Sequence, residues 1–124
     1  MNEVNTMPIM AAIQMVSGPG VAENLAAAAE LLARAAANGA RLAVLPENFA
    51  LMGRGENDKV RVREAEGEGP IQAFLAEQAA RHGLWLVGGT IPLRTVGDDN
   101  RVRAACLLFD DQGRRVARYD KVHL

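Results

Sequence analysis

Glu47 and Lys121 are the residues of this sequence whose types and placement best suit chemistry. Glu47 directly follows the apolar run Arg41 to Leu45, in Leu45-Pro46-Glu47-Asn48-Phe49. Lys121 directly follows Val116 to Tyr119, in Tyr119-Asp120-Lys121-Val122-His123-Leu124. If both runs are strands, both side chains leave a sheet at carboxyl ends, where open α/β sheets bind ligands. A carboxylate and an ammonium 74 positions apart then share one edge and one pocket. Such a pair can move a proton and hold negative charge on an oxygen. Each also has a plainer reading when taken alone: Glu47 as a solvated carboxylate in a strand-to-loop turn, Lys121 as a surface lysine.

The other candidates are weaker. Cys106 lies inside Ala104-Ala105-Cys106-Leu107-Leu108-Phe109, where a cysteine is a small buried hydrophobe. His82 closes a helical segment, where an imidazolium favours the C-terminal dipole, and His123 either orients the neighbours of Lys121 or packs. Two histidines 41 apart, without clustered cysteines, make no metal site. Gly88-Gly89 either brings backbone close to a substrate or supplies a turn with positive φ. The charges of 54–68 form a solvated loop, with gating of a substrate as the alternative. Ser17-Gly18-Pro19-Gly20 lacks the lysine and spacing of a phosphate loop.

The elements that must position these residues follow a repeated grammar. Residues 9–16 form an apolar run closed by Ser17-Gly18-Pro19-Gly20, which predicts a buried strand and a loop. Leu25, Ala28, Ala29, Leu32, Ala35 and Ala36 recur at helical spacing, and Asn38-Gly39 stops that helix, predicted over 21–38. A second strand covers 41–45. Residues 54–68 are a surface loop with room for a short helix. Pro70 begins a helix over 70–82, with Ile71, Phe74, Leu75 and Ala79 on its apolar face and Gly83 as its end. A third strand over 84–88 halts at Gly88-Gly89. After Asp98-Asp99-Asn100 the rhythm becomes purely β: strands at 102–109 and 115–119 flank the hairpin turn Asp110-Asp111-Gln112-Gly113. Strands alternating with helices imply an α/β fold with a largely parallel sheet. Two long helices for five strands leave one face of that sheet poorly covered.

Composition bounds the rest. The 124 residues suit one domain or part of a larger one. The chain is 49 % apolar, but 22 residues are alanine and only 5 are aromatic, so its core depends on close helix–sheet contact. A net charge of −1 from 14 basic and 15 acidic residues argues against a nucleic-acid surface. No apolar run approaches a membrane span, and residues 1–16 lack the basic start of a secretory signal. One cysteine excludes an internal disulfide framework, which makes a cytoplasmic location the default.

Leu-Pro-Glu-Asn-Phe at 45–49 and Tyr-Asp-Lys-Val-His-Leu at 119–124 resemble the first two catalytic motifs of the nitrilase superfamily of carbon–nitrogen hydrolases. Ala-Ala-Ile-Gln-Met at 11–15, Asn24-Leu25 and Gly-Gly-Thr-Ile-Pro at 88–92 sit where that family has equivalents, so the resemblance covers essentially the whole chain. Ser17-Gly18-Pro19 and Leu51-Met52-Gly53 look most like the bacterial amidase branch that includes deaminated-glutathione amidase. The resemblance implies an α-β-β-α sandwich, of which these residues are the first sheet and its helix layer. It also implies a small-molecule amide or nitrile substrate, no cofactor and a homo-oligomeric complete protein.

By the same resemblance Glu47 is the general base of a Cys–Glu–Lys triad, and Lys121 stabilises the oxyanion of a tetrahedral intermediate. The family's nucleophile lies in a third motif downstream of the lysine. Cys106 precedes Lys121 and is no substitute. Residues 1–124 therefore read as the N-terminal part of one hydrolase domain, inactive alone. Two rivals stand beside this: a small complete α/β binding module, and a thiol-redox protein using Cys106, which would need an exposed thiol of low pKa.

Overall fold

The computed structural model describes residues 7–53 and 55–121. Five strands form one sheet in the order β1-β2-β3-β4-β5: β1 Ile9–Ala12, β2 Ala40–Val44, β3 Trp85–Thr95, β4 Asp98–Phe109 and β5 Arg115–Asp120. Among the described residues three helices accompany them: α1 Val21–Ala37, α2 Glu56–Val62 and α3 Pro70–His82. The pairs β1–β2 and β2–β3 are parallel, and β3–β4 and β4–β5 are antiparallel. The sheet is thus half parallel rather than largely so. Its parallel pairs are those joined through α1 and α3, as crossover connections require.

Both long helices match their sequence signals. Pro70 opens α3, and Gly83 ends it in the left-handed conformation, with Leu84 N–H donating to Ala79 O at 3.0 Å. Helices α1 and α3 cover one face of the sheet. Ala28, Leu32, Leu75 and Ala79 share a continuous core with Ala43, Leu86, Ala105, Leu107 and Phe109. Alternation along the strands sends the neighbouring residues to the other face. There Met10 is 71 %, Trp85 41 % and Tyr119 65 % exposed, so one face is uncovered, as two long helices for five strands imply.

Three boundaries differ from the sequence reading. Strand β1 ends at Ala12 rather than residue 16. Its neighbour β2 ends at Val44, and after the bond from Ile13 N–H to Val44 O, 2.9 Å, the segment has no ladder partner left. Strand β3 does not halt at Gly88-Gly89 but continues to Thr95, across a register shift between Gly88 and Ile91. Neither glycine has a positive φ. A Cβ on Gly88 would lie 2.5 Å from Leu75 Cδ1, and one on Gly89 2.7 Å from Cys106 Sγ. The pair therefore serves close packing of α3 and β4 against β3. The chain reverses at Val96-Gly97, and β4 already starts at Asp98. The charged stretch after Gly53 does contain a short helix, α2.

The segment between α2 and α3 is pinned by Glu64. Its N–H donates to Pro92 O at 3.0 Å, and its carbonyl accepts from Arg94 N–H at 2.8 Å. Its buried carboxylate accepts from the backbone N–H groups of Ile71, 2.6 Å, and Gln72, 3.0 Å. These are orphan donors of the first turn of α3. The same loop meets β5 through Glu66, which pairs with Arg115 and Arg118.

Candidate active site

Two reversals of direction, β3 to β4 and β4 to β5, leave β5 parallel to β2. Glu47, after β2, and Lys121, after β5, consequently lie on the same carboxyl edge. Three strand spacings, about 14 Å, separate those two strands. The loop after β2 crosses this distance over β3. Leu45 N–H donates to Val87 O at 2.9 Å as the loop leaves the sheet, and Asn48 N–H reaches Thr90 Oγ1 at 3.3 Å. The Thr90 hydroxyl donates in turn to Asn48 Oδ1 at 3.4 Å. Asn48 adopts φ 57°, a left-handed conformation that asparagine tolerates better than most residues. Leu45, Phe49, Ala50 and Leu51 anchor the loop in the core, with Glu47 at its crest.

On the opposite side, Lys121 N–H donates to Ala104 O at 2.8 Å, extending the β4–β5 ladder by one bond. Its Nζ then donates to Glu47 Oε1. The two side chains are 46 % and 53 % exposed, so the pair borders solvent. Beside it opens a cavity of about 630 Å³ whose lining includes Asn48, Lys59, Thr90, Arg101, Arg103 and Lys121. Among the described residues no aspartate or glutamate lines it, while Lys121 is paired with Glu47 and Arg101 with Asp98 at 3.3 Å, which leaves Lys59 and Arg103 as its further cations. The cavity is therefore cationic.

The structure thus brings Glu47 and Lys121 together on one edge. Cys106 is not among the residues lining the cavity. It is half-buried beside Gly89, opposite Tyr119 in the ladder. Burial pushes its thiol pKa up, the opposite of what a reactive thiol needs. His82 ends α3 as expected, and His123 lies outside the described residues. Among the described residues no group of three or more His, Cys, Asp or Glu could hold a metal ion, and no helix is long and apolar enough to cross a membrane.

Sequence reasoning noted Asn24 and Ser17 within the resemblance but gave neither its role, which is to hold the Glu47 loop from behind. Asn24, 4 % exposed, donates through Nδ2 to Ala50 O and Gly18 O, each at 2.8 Å, and accepts from Gly18 N–H at 2.9 Å. Ser17 Oγ donates to Phe49 O at 2.7 Å. A signal for Asn24 existed: it occupies the same stripe of α1 as Ala28 and Leu32, and a polar residue in such a stripe needs a buried partner.

Residues 9–124 match the family model of carbon–nitrogen hydrolases, and the chain belongs to that family. It is 36 % identical over 116 residues to a deaminated glutathione amidase of Synechocystis sp., covering 94 % of this chain and 42 % of that protein. To the human deaminated glutathione amidase it is 33 % identical over 122 residues, covering 95 % of this chain and 36 % of that protein. The chain therefore spans about two-fifths of the length of these relatives. Among solved structures, the NitFhit protein of C. elegans superposes with a TM-score of 0.80 at 26 % identity, over 93 % of this chain and 28 % of that one. An amidase from Nesterenkonia sp. gives 0.75 at 26 % identity, over 93 % and 43 %. The sheet and helix layer are those of a nitrilase-type fold, and the family's chemistry is hydrolysis of carbon–nitrogen bonds.

Proposed function

We propose that the complete protein is an amidase working through a cysteine–glutamate–lysine triad, of which Glu47 and Lys121 are two members. The observation that supports this is the bond between Lys121 Nζ and Glu47 Oε1 on the carboxyl edge of the sheet. The nucleophilic cysteine comes from residues beyond these 124. Glu47 takes the thiol proton as sulfur attacks the amide carbon, and Lys121 donates to the oxygen that gains the negative charge. When the tetrahedral intermediate collapses, the carbon–nitrogen bond breaks and the proton held by Glu47 leaves with ammonia. Glu47 then takes a proton from water, whose oxygen attacks the thioester carbon, and returns it to sulfur as the carboxylic acid departs.

The substrate is a small amide whose acyl part carries a carboxylate, received by Lys59, Arg101 and Arg103 in the cationic cavity. The protein works in the cytoplasm as a homo-oligomer. The 124-residue chain alone does not turn over, because Glu47 and Lys121 have no thiol to activate. Ammonia release from an ω-amide bearing a carboxylate and from its neutral analogue tests the activity and the substrate class. The complete protein should release ammonia, faster from the acidic amide, and the 124-residue chain should not. Glu47→Gln or Lys121→Ala in the complete protein should lower kcat by about 10³-fold or more. Turnover by the short chain that disappears with Cys106→Ser would instead make Cys106 the nucleophile.

A further inference from the structure

Glu47 carries its chemistry on a loop, and a catalytic group misplaced by about 1 Å can lose about 100-fold in rate. Its side chain is half exposed and bonds Lys121 Nζ, and the loop backbone sets the point from which that side chain reaches out. Asn24 holds two backbone segments at once. Its amide group donates to Ala50 O, three residues beyond Glu47, and also exchanges donor and acceptor with the backbone of Gly18. Met52 N–H then donates to Gly18 O at 3.0 Å, and Ser17 Oγ donates to Phe49 O. The loops 17–20 and 48–52 are thereby closed on each other around one buried side chain. Ala50 is fully buried and Asn24 nearly so, so removing the amide leaves backbone groups of both loops without the covalent frame that fixes their separation.

We infer that Asn24 is a positioning residue for Glu47, and that the Ser17–Asn24 clasp sets catalytic rate without touching substrate. The clasp acts from behind the Glu47 loop, while Thr90 holds its front through Asn48. Asn24 lies on α1 in line with Ala28 and Leu32, which makes the first turn of that helix the fixed point from which the loop is placed. This inference rests on the reading of Glu47 as the general base.

The experiment uses the complete protein and ammonia release from a carboxylate-bearing ω-amide. Asn24→Ala and Asn24→Asp, which both remove the two donated bonds, should lower kcat about 10- to 100-fold with KM changed less than about threefold. Ser17→Ala, which removes one bond at the loop surface, should lower kcat by about threefold or more. Leu32→Ala, two turns further along α1 and buried in the core, is the stability control. It should lower the melting temperature at least as much while leaving kcat of the folded enzyme near the wild-type value. Asn24 variants that melt early yet keep wild-type kcat would overturn the inference, making Asn24 a structural residue only. If they do not fold, Ser17→Ala decides, and an unchanged kcat overturns it equally. Wild-type complete protein that releases no ammonia from any amide would refute the hydrolase reading, and the positioning role with it.

Discussion

Removing the Glu64 carboxylate should cost more stability than removing any exposed acid of this chain. Helix α3 starts at Gly69 with no side-chain cap of its own and no acidic residue in its first turn. Glu64, five residues before Gly69, fills that role from the preceding loop. Its Oε2 accepts from Ile71 N–H at 2.6 Å, and its Oε1 from Gln72 N–H at 3.0 Å and Gln72 Nε2 at 3.1 Å. Gln72 in turn binds Gly67 N–H through its Oε1, and the carbonyls of Ala65 and Glu68 through its Nε2. The fit is close enough that a Cβ on Gly69 would fall 2.2 Å from Glu64 Cδ. A lost cap costs about 1 kcal/mol, and each buried donor left without a partner about 1–3 kcal/mol. Glu64→Ala orphans two such donors, so a loss of about 3 kcal/mol is expected after allowing for water reaching the helix end. Glu64→Gln keeps one acceptor oxygen and should lose about half as much. Urea denaturation at neutral pH measures both. A loss below about 1 kcal/mol for the alanine variant, or equal losses for the two variants, would refute this account of how α3 begins.

Two further outcomes follow from single contacts. Gly88→Ala places a methyl group 2.5 Å from Leu75 Cδ1 and should destabilise the fold by about 1–3 kcal/mol. Combining it with Leu75→Ala should cost less than the sum of the two, as a double-mutant denaturation cycle will show. Asp110 is held below the usual carboxylate range, first by the Arg114 backbone N–H, then by the Gln112 N–H and the Arg114 guanidinium, against a partial desolvation that raises it. A depressed carboxyl contributes stability above its unfolded value near 4 and loses it as pH falls through the folded value. Thermal melts of Asp110→Asn from pH 7 to pH 3 should therefore show a shallower acid-side loss than the wild-type protein, and parallel curves would show that the hairpin carboxylate contributes nothing.

The parts of this fold that sequence revealed are those with local punctuation. Pro70 and Gly83 bracket α3, Asn38-Gly39 stops α1, and Asp110 to Gly113 turns the last hairpin, each through backbone chemistry confined to a few residues. What stayed hidden depended on partners distant in the chain. Ile13 to Val16 is as apolar as a strand, yet pairing ends because β2 ends. Gly88-Gly89 carries the same signature as a turn, and only the nearness of Leu75 and Cys106 shows that it permits close packing. Glu64 sits in a charge-dense stretch where nothing local separates a buried helix cap from a solvated acid. Glu47 and Lys121 were legible because each lies just past the carboxyl end of a strand, and the resemblance to carbon–nitrogen hydrolases singled them out from other strand-end residues. Asn24 and Thr90, which hold the Glu47 loop, stood inside segments that share the resemblance, but nothing local to them gave either a role.

The meeting of Glu47 with Lys121 depends on topology before it depends on either side chain. An odd number of reversals after β3 would send the chain out of the sheet at the opposite edge, and no lysine reaches across a strand's length. Two reversals return β5 to the direction of β2, which makes the hairpins at Val96-Gly97 and Asp110–Gly113 conditions for the site although neither lies in it. The remaining gap of about 14 Å between β2 and β5 is closed by the 45–52 loop, whose backbone is bound by Val87, Thr90, Asn24 and Ser17. Every one of those bonds ends on a backbone atom of the loop and none on Glu47 itself. The loop therefore takes its position from residues on β3, on α1 and in the loop between β1 and α1, while Lys121 bonds the carboxylate itself. Phe49, Ala50 and Leu51, all buried, fasten the loop to the core from its own side.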